Sequence, residues 1–190
     1  MKLITIVGGI GSGKSVVSHV LRLMDYEVYD CDICAKKLMN ESETIKQSLA
    51  AAFGDEVITA SGMVNKPKLA EIIFNDKTAL ATVNGIVHPE VIADFKRCAA
   101  KCSGRAFFVE TALPQESGID AMANEIWMVE APEPVRVLRV MERNGVSSGE
   151  VLQRMKNQDY SNLKNNCVRH IVNDDTNAIL PQIAALLQRL

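Results

Sequence analysis

The chain has 190 residues, is 47% hydrophobic and carries a formal net charge of -2 at pH 7, which suits one well-buried core and is short for two independent domains. With 21 basic and 23 acidic residues and no basic run, it lacks the positive footprint of proteins that bind a nucleic-acid backbone. The apolar residues before Gly8 are too few for a signal peptide, and no stretch approaches the roughly 18 apolar residues of a membrane span. We therefore expect a cytoplasmic protein with small-molecule partners, no nucleic acid and no membrane association.

The first predicted strand, Leu3–Val7, leads directly into Gly8-Gly9-Ile10-Gly11-Ser12-Gly13-Lys14-Ser15. These eight residues match the phosphate-binding pattern G-x-x-x-x-G-K-[ST] in the strand, loop and helix setting that it requires. Glycines let backbone N–H groups approach phosphate oxygens, the lysine adds positive charge, and the following helix presents its N-terminus to the same anion. The hydroxyl of Ser15 is placed to ligate Mg²⁺. The loop predicts a protein that binds nucleotide phosphates.

The helix after this loop shows apolar residues at helical spacing, which predicts one face packed on a sheet. They are Val16, Val17, Val20, Leu21 and Met24. Further strand-like segments, separated by helical patterns, occur at Glu27–Tyr29, Arg105–Val109, Ile126–Val129 and His170–Val172. This alternation predicts a parallel sheet covered by helices on both faces.

Asp30-Cys31-Asp32 follows the second strand. Residues two apart on an extended chain point the same way, and the carboxyl end of a parallel strand opens onto the ligand crevice. One carboxylate could therefore accept the proton of an attacking hydroxyl group. Aspartates are also common as solvated turn residues, and the residues alone leave both interpretations open.

The interval from residue 34 to residue 104 is longer than one crossover helix needs. Its pattern predicts successive helices over Lys66–Phe74, Thr78–Val87 and Pro89–Cys102, with Pro89 in a first turn. We interpret the interval as a helical insertion beside the sheet and expect it to bind a second substrate.

Arg136, Arg139 and Arg143 share one face of the next predicted helix. Arginines on a mobile segment can stabilise the charge of a transferring phosphoryl group and exclude water, and the glycines and serines of 145–149 suit a hinged lid. The alternative is an ordinary solvated helix face.

A phosphate-binding loop by itself leaves several protein classes open. The chain has no D-x-x-G segment, and its nearest match to N-K-x-D, residues 65–68, ends in lysine, which disfavours a GTP switch. A motor ATPase is the second interpretation, because Glu110 ends an apolar strand. An acidic residue that lies near the magnesium ion in such ATPases would occupy a similar position.

Five cysteines, an odd number, favour a reducing compartment over a disulfide framework. The spacings Cys31/Cys34 and Cys98/Cys102 still leave a four-cysteine zinc site open. Small buried thiols are the plainer interpretation, because no glycine or aromatic typical of a zinc knuckle accompanies either pair.

Taken together, segments along nearly the whole chain resemble the dephospho-coenzyme A kinase family, which uses ATP to phosphorylate the ribose 3′-hydroxyl of dephospho-CoA. The resemblance rests on residues 8–15, 28–32, 83–89, 129–133, 139–143 and 154–158, in matching order and intervals. It implies an α/β fold in which a five-stranded parallel sheet flanked by helices forms a P-loop kinase core. Within a single domain, residues 1–33, 104–135 and 168–190 would form this core, 34–103 a helical substrate-binding insertion and 136–167 a helical lid.

The resemblance also implies roles for individual residues. Asp32, Lys14 and Arg139 would be catalytic, with Asp32 as the general base, and Ser15 would bind Mg²⁺. ATP would contact Gly9, Gly11, Ser12, Gly13, Lys14, Ser15, Val16, Arg139, Arg143 and Asn173. Dephospho-CoA would contact Asp32, Lys36, His88 and Glu116.

Three positions depart from the family pattern. Lys36 stands where the family usually has arginine, which removes a bidentate fork. Residues 112–116 read Ala-Leu-Pro-Gln-Glu in place of Pro-Leu-Leu-x-Glu, and Asn173-Asp174-Asp175 replaces the usual Asn-Gly. The alternatives are therefore another small-metabolite or nucleoside kinase, or a nucleotide-binding module without transfer activity.

Overall fold

The computed structural model describes residues 1–74, 76–156, 158, 160–165 and 167–190, except for the side chain of Glu116. Contacts divide the chain into two compact units. The first unit consists of Met1–Asp30 and Lys101–Leu190, and the second of Cys31–Ala100.

The first unit contains one β-sheet. Its strands in the described residues are β1 (Lys2–Val7), β2 (Glu27–Asp30), β3 (Ala106–Glu110), β4 (Glu125–Glu130) and β5 (Val168–Val172). They lie in the order β2-β3-β1-β4-β5, and every neighbouring pair is parallel. The predicted five-stranded parallel sheet is confirmed.

Helices account for most of the remaining chain. They are α1 (Lys14–Leu23), α2 (Cys31–Glu41), α3 (Glu43–Phe53), α4 (Lys66–Ile73), α5 (Lys77–Lys101), α6 (Pro114–Ser117), α7 (Ile119–Met122), α8 (Glu133–Asn144), α9 (Ser148–Lys156) and α10 (Ile179–Leu187). Across the described residues, none of these helices combines the length and apolarity that a bilayer crossing requires.

The core of the first unit is built on the central strand, β1, and its two neighbours, β3 and β4. All five residues of β3 are buried, which follows from a parallel sheet covered on both faces. Phe108 contacts Tyr26 and Trp127 edge to face, with ring centroids 5.4 Å and 5.1 Å apart. These aromatic contacts add to the area that Phe108 buries.

Helix α1 packs on this core through Val17 and Leu21, both fully buried. The predicted apolar face was too wide, because Val16 is 48% exposed and Met24 is 44% exposed. Val16 lies about 100° around the helix from Val17, and Met24 follows the last residue of α1. Helix geometry therefore turns Val16 toward solvent, and Met24 lies beyond the helix as its C-cap.

The second unit is helical, and its longest element, α5, contradicts the predicted helix break at Pro89. Residues 77–101 form one helix with Pro89 inside it. Val83, Val87, Val91 and Phe95 are buried at four-residue intervals on either side of the proline, so a continuous apolar stripe favours a continuous helix. The proline ring clashes with the carbonyl of the residue four positions earlier, here Gly85, and removes one helical hydrogen bond, so burial of the apolar stripe outweighs this cost.

Replacing Phe108 with alanine should lower the free energy of unfolding by about 3–5 kcal/mol, because the cavity left between two aromatic rings cannot collapse fully. Urea unfolding of the purified variant measures this loss. Phe74→Ala is the matched control, since Phe74 is 83% exposed and should change stability by less than about 0.5 kcal/mol. Equal losses in the two variants would contradict this description of the core.

Candidate functional site

The phosphate-loop segment, residues 8–13, joins β1 to the N-terminus of α1. Gly13 is the N-cap of α1, and the helix begins at Lys14 with no acidic side chain in its first turn. The first N–H groups of a helix have no partner within the helix, and they carry the positive end of its dipole. The end of α1 is therefore suited to bind an anion.

Gly11 and Gly13 of the segment cannot be replaced without strain. Gly11 and Gly13 have φ values of 78° and 94°, which side-chain-bearing residues rarely adopt. A Cβ on Gly11 would lie 2.5 Å from the carbonyl oxygen of Arg136, and one on Gly13 would lie 2.0 Å from Nδ2 of Asn173. These glycines permit both the turn and the close approach of residues that bond the loop.

Side chains from distant parts of the chain donate to the carbonyl oxygens of the segment. Nε of Arg136 donates to Ile10 at 2.9 Å, and Nδ2 of Asn173 donates to Ser12 at 2.8 Å. The backbone N–H of Ile10 is also bonded, because it donates to Oε1 of Gln158 at 2.7 Å. Together these bonds hold the loop in one conformation.

Arg139 binds the same region through both terminal nitrogens. Nη1 donates to the carbonyl oxygens of Gly11 at 3.3 Å and Asn173 at 3.0 Å. Nη2 donates to Oδ1 of Asn173 at 3.3 Å and forms an ion pair with Asp175. Asp175 has a φ of 69°, a left-handed conformation that aspartate tolerates better than most residues. Arg139 therefore links α8, the loop and the segment after β5.

Lys14 and Tyr160 both donate to the carbonyl oxygen of Gly8. The distances are 2.6 Å from Nζ of Lys14 and 2.9 Å from the hydroxyl of Tyr160. The same hydroxyl lies 3.0 Å from the carbonyl oxygen of Ala112. Gly8 is buried, so its carbonyl oxygen depends on protein donors.

Glu110 lies at the carboxyl end of β3, beside Asp30 of β2 in the strand register. It is 9% exposed, and burial raises the pKa of its carboxyl group, as does the negative charge of Asp30. Ser18, Lys14 and Arg22 act in the opposite direction on this pKa. The ionised form of Glu110 is costly to bury. When it forms, it places a negative charge close to Lys14.

The structure brings several predicted ATP contacts together at the loop, namely Gly9, Gly11, Ser12, Gly13, Lys14, Arg139 and Asn173. Ser15 and Val16 follow in the first turn of α1 and are exposed, and the Ser15 hydroxyl is the hard oxygen ligand that Mg²⁺ prefers. Arg143 is exposed and donates to the neighbouring Asn144 at 3.1 Å. This contact does not place Arg143 at the loop.

Three of the four predicted acceptor residues, Asp32, Lys36 and His88, belong to the second unit, and Glu116 belongs to the first. Asp32 does not lie on an extended chain with Asp30, because β2 ends at Asp30 and α2 begins at Cys31. Asp32 is instead exposed in the first turn of α2, where the helix dipole stabilises a carboxylate. Lys36 lies one turn later on the same helix face, and His88 is half-buried on α5.

Two predicted positions cannot be compared with the structure. The side chain of Glu116, predicted to contact dephospho-CoA, lies outside the described residues, as does Asn157 of the 154–158 segment. For the zinc hypothesis, the described part of the chain holds no group of three or more His, Cys, Asp or Glu side chains able to bind a metal ion.

Arg136, Gln158 and Tyr160 contact the loop, and the sequence did not predict these contacts. They lie 126 to 152 residues from their partners in the loop, so no local spacing relates them to it. Arg136 shares a predicted helix face with Arg139, and Gln158 closes the 154–158 segment. The sequence therefore marked Arg136 and Gln158 as residues of interest, although it did not predict their contacts with the loop, and it gave no such indication for Tyr160.

Comparison with known proteins relates nearly the whole chain to one enzyme family. The family model described as CoaE, dephospho-CoA kinase, matches residues 2–179. Dephospho-CoA kinase of Porphyromonas gingivalis is 35% identical over 190 residues, covering 99% of this chain and 94% of that protein. The enzyme of Bacteroides fragilis is 37% identical over 189 residues, covering 97% and 90%.

Solved structures agree with this relationship. A crystallised protein from Thermus thermophilus aligns with a TM-score of 0.80 at 29% identity, covering 99% of this chain and 95% of that one. Dephospho-CoA kinase from Campylobacter jejuni aligns with a TM-score of 0.69 at 20% identity, covering 98% and 96%. At that identity the second structure supports the fold.

Replacing Gly13 with alanine should lower the free energy of unfolding by about 2 kcal/mol or more, because it adds left-handed strain to a clash with Asn173. Gly85→Ala is the control and should raise stability by about 0.5–1 kcal/mol, since the site is helical and open. Urea unfolding compares the two, and a harmless Gly13→Ala change would contradict the geometry described for the loop.

Replacing Glu110 with glutamine should stabilise the protein increasingly as the pH rises. Burial raises the pKa of the folded-state carboxyl above the ordinary value of 4.5, so the contribution of Glu110 to wild-type stability is fully present below pH 4.5 and is lost as the pH rises through the folded-state pKa. Urea unfolding from pH 4.5 to pH 8 measures the difference between wild type and variant. Glu142→Gln, which changes an exposed carboxylate, is the control. A difference that shrinks with rising pH would contradict the assignment.

Proposed function

The chain belongs to the dephospho-CoA kinase family, and from this premise we propose that it transfers the γ-phosphoryl group of ATP to the ribose 3′-hydroxyl of dephospho-CoA. The products are coenzyme A and ADP. The observation that carries the proposal is the phosphate-loop segment, with its glycine backbone, the lysine that follows it and the N-terminus of α1.

The loop binds the phosphates of ATP through backbone N–H groups and the first turn of α1. Lys14, which donates to the Gly8 carbonyl oxygen, turns its ammonium group toward the β- and γ-phosphates. Val16 and Asn173 contribute to the ATP site from either side of the loop. In a phosphoryl transfer such fixed positive groups stabilise the charge on the equatorial oxygens.

Ser15 would hold Mg²⁺ together with phosphate oxygens of ATP, and the ion would neutralise part of the phosphate charge when bound. The hydroxyl of Ser15 is exposed in the first turn of α1, which fits this use. The remaining steps depend on the protein's own side chains.

Arg139 is the proposed catalytic arginine. Its guanidinium already lies at Gly11 and Asn173, and exchange of its Asp175 contact for a phosphate oxygen would bring positive charge to the transferring group without moving its other bonds. Arg143 contributes a second cation from the same helix. Residues 136–167 act as a lid that excludes water during transfer.

Acceptor binding is assigned to the helical insertion, residues 34–103, together with Asp32 and Glu116. The exposed carboxylate of Asp32 accepts the proton of the 3′-hydroxyl as its oxygen attacks the γ-phosphorus. Lys36 and His88 bind dephospho-CoA, with Lys36 acting as a single point charge. The core that binds ATP consists of residues 1–33, 104–135 and 168–190.

Incubation of the purified protein with ATP, Mg²⁺ and dephospho-CoA tests the substrate assignment, and chromatography should detect coenzyme A and ADP in equal amounts. A panel of nucleosides and small alcohols serves as the comparison. Preferred phosphorylation of one of these would identify a different kinase, and ATP binding without transfer to any acceptor would identify a nucleotide-binding module.

Asp32→Asn should lower kcat by about 10²–10⁴-fold, because the amide cannot take the proton in the transition state. ATP affinity should stay close to wild type, since the loop is unchanged, and calorimetric titration measures it separately. Asp55→Asn alters another exposed aspartate of the second unit and should leave kcat unchanged. Full activity in Asp32→Asn would rule out its role as the base.

A further inference from the structure

Tyr160 lies beside the loop lysine and shares an acceptor with it. Its ring packs against the apolar cluster of Val7, Ala123, Ile126 and Met128, while its hydroxyl lies 2.9 Å from the carbonyl oxygen of Gly8 and 3.0 Å from that of Ala112. A tyrosine hydroxyl has one proton. It can therefore complete a full hydrogen bond to only one of these two carbonyl oxygens at a time.

The carbonyl oxygens of Gly8 and Ala112 differ in the other hydrogen-bond donors that can reach them. Gly8 is buried and also accepts from Nζ of Lys14 at 2.6 Å. Ala112 is half-buried, so water can replace a lost donor there more easily. The hydroxyl can therefore leave Ala112 at small cost, whereas a buried Gly8 carbonyl with no donor would be destabilised.

We propose that Tyr160 is a positioning residue that releases Lys14 for ATP. The inference rests on the proposed function, in which Lys14 leaves the Gly8 carbonyl to donate to the phosphates. When Lys14 leaves, the hydroxyl proton of Tyr160 turns fully to Gly8 and keeps that carbonyl satisfied. ATP binding then carries no penalty for an unpaired buried oxygen.

Two properties of a Tyr160→Phe variant follow. Without nucleotide, Gly8 still accepts from Lys14, so the unfolding midpoint in urea should change little. With ATP bound, Gly8 would lose the second of its two side-chain donors among the described residues, and the affinity for ATP should fall by about tenfold. Phenylalanine keeps the ring that packs against the apolar cluster, so the variant should fold.

Calorimetric titration with ATP and Mg²⁺ measures the affinity. Tyr26→Phe is the matched control, because it removes a tyrosine hydroxyl whose described bonds are to exposed Arg105, and it should bind ATP as wild type does. Tyr160→Phe with wild-type affinity for ATP would overturn the inference.

A coupling measurement in the nucleotide-free protein separates release of Lys14 from simple support of the fold. In a Lys14→Met background Tyr160 is the remaining side-chain donor to Gly8 among the described residues, so adding Tyr160→Phe should lower the urea midpoint clearly more than it does in the wild-type background. Equal decreases in both backgrounds would overturn the inference.

The outcomes also distinguish the inference from the proposed function. If wild type forms coenzyme A while Tyr160→Phe binds ATP normally, the inference fails and the proposed function stands. If wild type binds ATP without forming coenzyme A, and Tyr160→Phe weakens that binding, the proposed function fails and the role of Tyr160 stands.

Discussion

Under the proposed function, the backbone N–H groups of the loop after β1 face an anion. The carbonyl oxygens of the same loop, several of them away from water, must then find hydrogen-bond donors elsewhere. Backbone polar groups in a folded protein must be paired, so this requirement constrains much of the first unit. Arg136 and Asn173 meet it from two different segments, α8 and the end of β5. The loop conformation proposed to bind phosphate is therefore a product of tertiary structure, although its residues are contiguous.

The same requirement gives side chains near the loop two roles. Arg139 bonds the Gly11 carbonyl and Asn173, and Lys14 bonds Gly8. Both cations therefore lie beside the loop, where under the proposed function each exchanges a protein acceptor for a phosphate oxygen. Glu110 shows the opposing cost. Burial at the end of β3 raises the pKa of its carboxyl group and so disfavours ionisation.

The sequence predicted those features that local patterns determine. The glycine pattern located the loop and α1, and alternating apolar segments predicted all five strands to within one or two residues, because burial on both faces leaves continuous apolar runs. Local rules failed where tertiary packing outweighed them. Pro89 did not end α5, because one buried stripe runs through it, and Asp32 entered a helix directly after β2. Contacts of Tyr160 and Gln158 with the loop join residues about 150 positions apart, for which a single sequence contains no spacing signal.

A titration of the ¹⁵N-labelled protein with ATP and Mg²⁺, followed by nuclear magnetic resonance, tests most directly whether the loop receives the phosphates. The amide signals of Gly11, Gly13, Lys14 and Ser15 should shift most and in proportion to ATP bound, because their N–H groups exchange water for phosphate oxygens. If these four signals stay in place while amides elsewhere respond to ATP, the loop is not the phosphate site, and the mechanism built on it is wrong.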